Sequence, residues 1–148
     1  MTFSHTLEIS APEEVWRRWT EVETWHEWDT EVKEASLEGN FELGVKGTLA
    51  PKTGPETSFT ITEFTPEQSY TFTTNLPLAE LHVKRYFSRN RAAFTREVSF
   101  TGTLAPLFSF LLGRRFKEVL PEVMTNLREL TESKRVASSA RSGKGDYE

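Results

Sequence analysis

The sequence contains no cysteine in its 148 residues, and this absence excludes several kinds of site. Disulfide bonds, thiolate metal ligands and cysteine nucleophiles all need that side chain. Long apolar runs are also missing, since the most apolar window, residues 104–112, is about half the length of a helix that spans a bilayer. The N-terminal segment lacks the basic region and apolar stretch of a signal peptide. We therefore expect a soluble, cytoplasmic protein with no integral membrane association.

An excess of positive charge is missing too, because the formal net charge is −4 and the isoelectric point is about 5.5. A nucleic-acid partner or an anionic membrane surface would need a positive field, so neither is predicted. The three histidines, His5, His26 and His82, are isolated in the sequence, and no metal site is predicted. No serine triad, phosphate-binding loop or dinucleotide fingerprint is present, so no cofactor is predicted.

The length of the chain predicts one domain with one real core. Residues 1–133 carry the patterned, apolar part of the sequence. Residues 134–148 are polar, rich in small side chains and without periodicity, as is typical of disordered segments. We therefore predict a single domain over residues 1–133 and a disordered tail over residues 134–148.

Aromatic residues are plentiful, and all four tryptophans fall between Ser10 and Asp29. Ser10 and Glu13 have the spacing of a capping box, which predicts a short helix, and Thr20 and Glu23 repeat the spacing for a second one. Tryptophan has a large apolar body with a single N–H group, so it suits both a core and a cavity wall. Two interpretations of Trp25 and Trp28 stay open: core packing, or the wall or mouth of a binding cavity.

The rest of the chain predicts strands and then one long helix. Residues 3–9 alternate as a half-buried strand does, and the same period recurs between residues 32 and 102. The predicted strands there are residues 32–38, 45–51, 57–65 and 68–76, followed by a hairpin over 79–102. From Leu104 the apolar spacing lengthens to three or four residues, which predicts a helix to about Ser133.

The hairpin at residues 79–102 has a register that the sequence specifies. A turn at Asn90 and Arg91 pairs phenylalanine with phenylalanine on the inner face and Lys84 with Glu97 on the outer face. The same register places Arg85 opposite Arg96 on the inner face, where two like charges need a negative partner. In the preceding hairpin, the simplest register places Glu63 opposite Tyr70.

This order of elements resembles the START-related helix-grip superfamily (SRPBCC), and within it the polyketide cyclase/dehydrase-like branch. The resemblance is carried by Ile9-Ser10-Ala11-Pro12 with Val15-Trp16, by Trp25 and Trp28, by Gly102 before the long helix, and by Leu127 and Leu130 near its end. It implies an α+β fold in which a curved seven-stranded antiparallel sheet, with two short helices after its first strand, grips the C-terminal helix around a hydrophobic cavity. It implies no catalytic signature, and the catalytic residues stay unknown.

The predicted function is binding of a small hydrophobic or amphipathic ligand, of lipid, polyketide or aromatic-acid type, by a monomer or weak homodimer. Two alternatives stay open: an aromatase/cyclase- or dehydratase-like enzyme, and a protein-interaction module. The inward arginines are either neutralised within the protein or left to meet an anionic group of the ligand. The candidate cavity residues share the predicted inner face: His5, Trp25, Trp28, Phe59, Glu63, Tyr70, Phe72, Arg85, Phe87, Phe94, Arg96, Phe100 and Phe116.

Overall fold

The structure is a computed structural model that describes the backbone of residues 2–147 and the side chains of residues 2–112 and 118–132. The elements follow the predicted order. They are β1 (Thr2–Glu8), α1 (Pro12–Thr20), a 3-10 helix (Val22–Glu27), β2 (Val32–Leu37), β3 (Lys46–Pro51), β4 (Thr57–Thr65), β5 (Ser69–Leu76), β6 (Ala79–Phe87), β7 (Ala93–Thr101) and α2 (Ala105–Tyr147).

The seven strands form one antiparallel sheet in the order β1-β7-β6-β5-β4-β3-β2. The first strand therefore pairs with the last one, while all other neighbours are consecutive in sequence. Helix α2 packs on β1, β7 and α1. This arrangement confirms the predicted α+β helix-grip fold. The predicted tail at residues 134–148 lies outside the described side chains and stays a prediction.

The hairpin of β6 and β7 has the register that the sequence predicts. Phe87 pairs with Phe94, Lys84 pairs with Glu97, and Arg85 pairs with Arg96. Both arginines are buried on the inner face, at 2% and 8% exposure. Apart from these two arginines, the inner positions of both strands are apolar, and a shift by one residue would move them to the wrong face.

The hairpin of β4 and β5 contains a β-bulge that the sequence prediction missed. Ile61 pairs with Phe72 as predicted, but the register then shifts, and Tyr70 pairs with Phe64 instead of Glu63. The extra residue of a bulge changes the facing of the residues beyond it. Glu63 consequently points outward, where its carboxylate lies 3.6 Å from the Lys84 ammonium.

Neither predicted capping box forms. Helix α1 has Ala11 as its N-cap without a side-chain hydrogen bond, and the 3-10 helix begins after Glu21 in the same way. The Ser10 hydroxyl instead donates to the Glu132 carboxylate of α2 at 2.9 Å. This bond connects the segment after β1 to the long helix. It is a charge-assisted hydrogen bond, which is stronger than one between two neutral groups.

Helix α1 buries one charged residue along with its aromatic side. Arg18 is 2% exposed and forms an ion pair with Glu27 at 2.5 Å. Trp19 is fully buried and stacks on Phe87, with ring centroids 4.7 Å apart. The aromatic side of α1 therefore lies on the inner face of the sheet.

Candidate ligand cavity

A cavity of about 310 Å³ lies between the inner face of the sheet and α2. This volume is at the lower end of the roughly 300–1,000 Å³ that ligand pockets occupy. Residues of β2 to β7 form one wall and residues of α2 form the other. The apolar side chains that line the cavity are Val32, Leu49, Pro51, Phe72, Leu76, Leu81, Val83, Leu112, Val119 and Leu120.

Three charged residues, Asp29, Glu31 and Arg96, also line the cavity. Asp29 follows the 3-10 helix and is 5% exposed. A turn fixes its position, because its Oδ1 atom accepts a hydrogen bond from the Glu31 backbone N–H group at 3.0 Å. The other oxygen, Oδ2, lies 3.7 Å from the Arg96 guanidinium. Strand β7 and the turn after the 3-10 helix thus bring the Arg96 guanidinium and the Asp29 carboxylate together at the cavity wall.

Arg85 is the neighbour of Arg96 across the hairpin, but four aromatic rings surround it. The carbon at the centre of its guanidinium lies 5.0 Å from the ring centroids of Trp25 and Trp28, 5.5 Å from Tyr70 and 5.7 Å from Phe72. Arg85 also donates a hydrogen bond to the Tyr70 hydroxyl. Aromatic faces attract cations, and this attraction is stronger where water is excluded. The rings therefore stabilise a charge that has no carboxylate within ion-pair distance in the described part of the chain.

Burial shifts the acid–base properties of this cluster. The pKa of Arg96 falls to about 10, mainly because burial disfavours the charged guanidinium and secondly because Arg85 is a neighbouring positive charge, while Asp29 acts in the opposite direction. Burial raises the pKa of Tyr70, against the lowering effect of the Arg85 charge. At neutral pH Arg96 is therefore a cation and Tyr70 a neutral hydroxyl. The cluster of Arg85, Arg96 and Asp29 then carries two positive charges and one negative charge.

Two of the candidate cavity residues line this cavity, namely Arg96 and Phe72. Tyr70, Arg85, Trp25 and Trp28 are buried beside it and belong to the aromatic surroundings of Arg85. Four further candidates are buried in the core, namely Phe59, Phe87, Phe94 and Phe100. His5 is half-buried and pairs with Arg96 across β1 and β7. The side chain of Phe116 lies outside the described residues.

The prediction that Glu63 lies in the cavity is wrong, because the bulge in β4 places this residue on the outer face of the sheet. The carboxylate that meets Arg96 is instead Asp29, which the sequence pattern does not single out. The sequence gives no signal for this, since Asp29 lies in a polar stretch with Glu27, Thr30 and Glu31. Only the folded turn shows that this residue points inward rather than into solvent.

In the described part of the chain, no group of three or more histidine, aspartate or glutamate side chains comes together closely enough to hold a metal ion. Among the helices of that part, none is both long and apolar enough to cross a bilayer.

A curved antiparallel sheet that encloses a cavity together with one long helix defines the helix-grip class of proteins. Within this class, the chain belongs to the family described as polyketide cyclase/dehydrase and lipid transport, whose sequence model matches residues 1–132. This match confirms the resemblance seen in the sequence. A search of curated proteins finds no match.

Solved structures share the fold at low sequence identity. A protein from Nitrosomonas europaea is 16% identical with a TM-score of 0.67, and the match covers 92% of this chain and 97% of that one. A protein from Mesorhizobium loti is 18% identical with a TM-score of 0.68, over 90% and 98%. The di-domain ARO/CYC StfQ from the steffimycin biosynthetic pathway is 15% identical with a TM-score of 0.69, over 90% of this chain and 51% of that one. At these identities the likeness is one of fold.

Proposed function

We propose that this chain binds a small hydrophobic or amphipathic molecule in the cavity between the sheet and α2. The observation that carries the proposal is the cavity of about 310 Å³, whose wall is mostly apolar and whose few polar groups include a buried guanidinium. Ligand pockets combine an apolar lining with a small number of placed polar groups. The family description, which includes lipid transport, supports the same class of ligand.

Native mass spectrometry of the protein purified from its own host tests this proposal, together with thermal shifts against a panel of lipids, phenols and aromatic acids. We expect either a co-purifying molecule or a rise in melting temperature with members of the panel, because a ligand that binds only the folded state stabilises it. Finding neither would contradict the proposal.

A matched pair of variants on β6 places the binding in the cavity. Leu81 lines the cavity, whereas its neighbour Glu80 is 51% exposed in its side chain on the other face of the strand. Leu81→Trp fills the space and should weaken binding at least tenfold, while Glu80→Trp adds the same ring outside and should leave binding unchanged. Equal affinities in the two variants would place the ligand elsewhere.

An aromatase/cyclase- or dehydratase-like activity on a polyketide-type substrate is the second candidate function. The family description and the structural likeness to an ARO/CYC protein favour it. In such a reaction Arg96 would stabilise a developing enolate oxygen by charge-assisted hydrogen bonds. His5 on β1 pairs with Arg96 on β7 and is half-buried, which makes it a candidate to carry a proton. Turnover that survives both Arg96→Leu and Arg85→Leu unchanged would remove this mechanism.

The tryptophans give no support to the third hypothesis, a protein-interaction module. That hypothesis has Trp25, Trp28 and the end of the long helix meet a partner, and the two rings are only 1% and 2% exposed. A buried ring has no surface to offer a partner. A cytoplasmic location and a monomer or weak homodimer remain predictions from the sequence.

A further inference from the structure

Arg96 is unusual among the residues of the cavity wall, because it is buried without being fully bonded. It is 8% exposed, and its Nε–H group has no hydrogen-bond partner in the part of the chain that the structure describes. Its contact with Asp29 spans 3.7 Å, which is longer than a hydrogen bond. A guanidinium has five N–H donors in a fixed fork, and buried donors are normally satisfied. Arg96 therefore has donor capacity at the cavity.

The charges around Arg96 are unbalanced in the same direction. Arg85 and Arg96 contribute two positive charges and Asp29 one negative charge, so the buried cluster has a net charge of plus one. Glu31 also lines the cavity, but it is only half-buried, and water screens an exposed charge strongly. The aromatic rings around Arg85 hold that cation away from the cavity wall. A single negative charge placed beside Arg96 would neutralise the cluster.

We propose that the ligand of this cavity is an amphipathic carboxylate, whose apolar body lies on Leu81, Val83 and α2 and whose carboxylate accepts hydrogen bonds from Arg96. This inference rests on the proposed function, since it requires that a small molecule occupies the cavity. Guanidinium and carboxylate are matched in shape and form short, charge-assisted hydrogen bonds. The carboxylate binds on the side of Arg96 that Asp29 leaves unbonded.

Three ligands with the same alkyl chain test the charge directly on the full-length protein at neutral pH. They are decanoate, decanol and decylamine, measured by isothermal titration and by thermal shift. We expect decanoate to bind at least tenfold more tightly than decanol, and decylamine to bind most weakly. Decanol binding as tightly as decanoate would overturn the carboxylate inference while leaving the proposed function intact. Binding of none of the three would overturn the carboxylate inference, while the proposed function would still be judged by the panel of lipids, phenols and aromatic acids.

A variant pair assigns the preference to Arg96. Arg96→Leu should abolish the tenfold preference for decanoate over decanol while decanol still binds. Arg17→Leu is the control, since Arg17 is an exposed arginine on α1 with a side chain that is 47% accessible, and it should keep the full preference. A preference that survives in Arg96→Leu would overturn the assignment.

A measurement on the unchanged protein keeps the inference testable if Arg96→Leu does not fold. Decanoate with an isotope label in its carboxyl carbon can be titrated by NMR, free and bound. A neighbouring cation favours the ionised form, so the bound carboxyl should have a lower pKa than the free one. A bound pKa equal to or above the free value would overturn the inference, because an apolar site without a cationic partner raises it.

Discussion

Asp29→Asn is the substitution that should disturb the buried cluster most, although it changes no more than one charge. The asparagine keeps an Oδ1 atom for the Glu31 N–H group, so the turn can persist. The side-chain amide, however, now faces Arg96 with a donor instead of an acceptor. The buried charges change from plus one to plus two, since Arg85 and Arg96 both remain. Removing one partner of a buried ion pair costs about 3–5 kcal/mol.

The cost can be read from urea unfolding followed by tryptophan fluorescence, with the free energy of unfolding extrapolated to water. For a chain of this size, about 3–5 kcal/mol corresponds to a fall in melting temperature of roughly 6–20 °C. The control is Glu63→Gln, which removes an exposed carboxylate whose ion pair with Lys84 spans 3.6 Å. Exposed pairs contribute about 0–1 kcal/mol, so this variant should be almost unchanged.

The order of the variants tests the charge argument itself. Arg96→Leu leaves one cation and one anion in the cluster and should cost less than Asp29→Asn. The double variant Asp29→Asn with Arg96→Leu returns the cluster to plus one, so it should be more stable than Asp29→Asn alone. Two contacting residues are expected to show such coupling. Additive costs, or an Asp29→Asn variant within about 1 kcal/mol of wild type, would refute the reasoning.

Two other predictions concern the core. Tyr70→Phe should cost about 1–3 kcal/mol, because it leaves a buried donor without its acceptor. Burial raises the pKa of Tyr70, so the folded state keeps a proton that the unfolded chain releases above about pH 10. Tyr70 therefore makes stability fall as pH rises past that point, whereas Arg96, whose pKa is lowered to about 10, acts in the opposite direction because the unfolded chain keeps its proton to higher pH. The comparison of variants isolates the tyrosine: stability should fall less with rising pH, or rise more, in Tyr70→Phe than in wild type, and equal slopes would contradict this. Gly47→Ala would place its Cβ atom 2.5 Å from the Phe59 ring and 2.6 Å from the Ser36 carbonyl oxygen, and should cost about 1–3 kcal/mol in urea unfolding. Gly39→Ala, with its nearest neighbour at 3.8 Å, should be neutral. A neutral Gly47→Ala would show that both the ring and the backbone of β2 can shift.

The register of β6 and β7 could be predicted residue by residue because several independent signals agree. Phenylalanines pair on the inner face, opposite charges pair on the outer face, and Asn90 with Arg91 supplies the turn. The inward position of Arg85 and Arg96 then follows from parity alone. A charged residue on an apolar face is visible in the sequence whenever both strands are long and regular.

The position of Glu63 could not be predicted in the same way. The bulge follows Ile61, in a strand where threonines alternate with apolar residues, and no glycine or proline marks it. One sign of the extra residue is present, since two polar residues, Thr62 and Glu63, separate Ile61 from Phe64 and break the alternation. A threonine suits either face, however, so this break does not by itself specify a bulge. A register without the bulge places Glu63 on the inner face, near the arginines. The bulge places it on the outer face, and Asp29 contacts Arg96 instead.

Asp29 shows a second limit of sequence analysis. Its role depends on a contact between the turn after the 3-10 helix and a strand near the other end of the chain. Local patterns predict strands, helices and their faces, but they do not specify which turn packs over which strand. Ser10 shows the same limit. Its spacing from Glu13 predicts a local helix cap, but its hydroxyl donates to Glu132 in the distant helix α2 instead.

The rings around Arg85 also restrict which side chains this position can accept. Arginine and lysine carry the same charge, and on a protein surface one often replaces the other. A guanidinium, however, is flat and weakly hydrated, so it lies against several indole and phenol faces with little loss of solvation. An ammonium holds its water more strongly and has no face to stack. Position 85 therefore requires arginine for its shape and its hydration, and the aromatic site would accommodate lysine as poorly as a neutral residue.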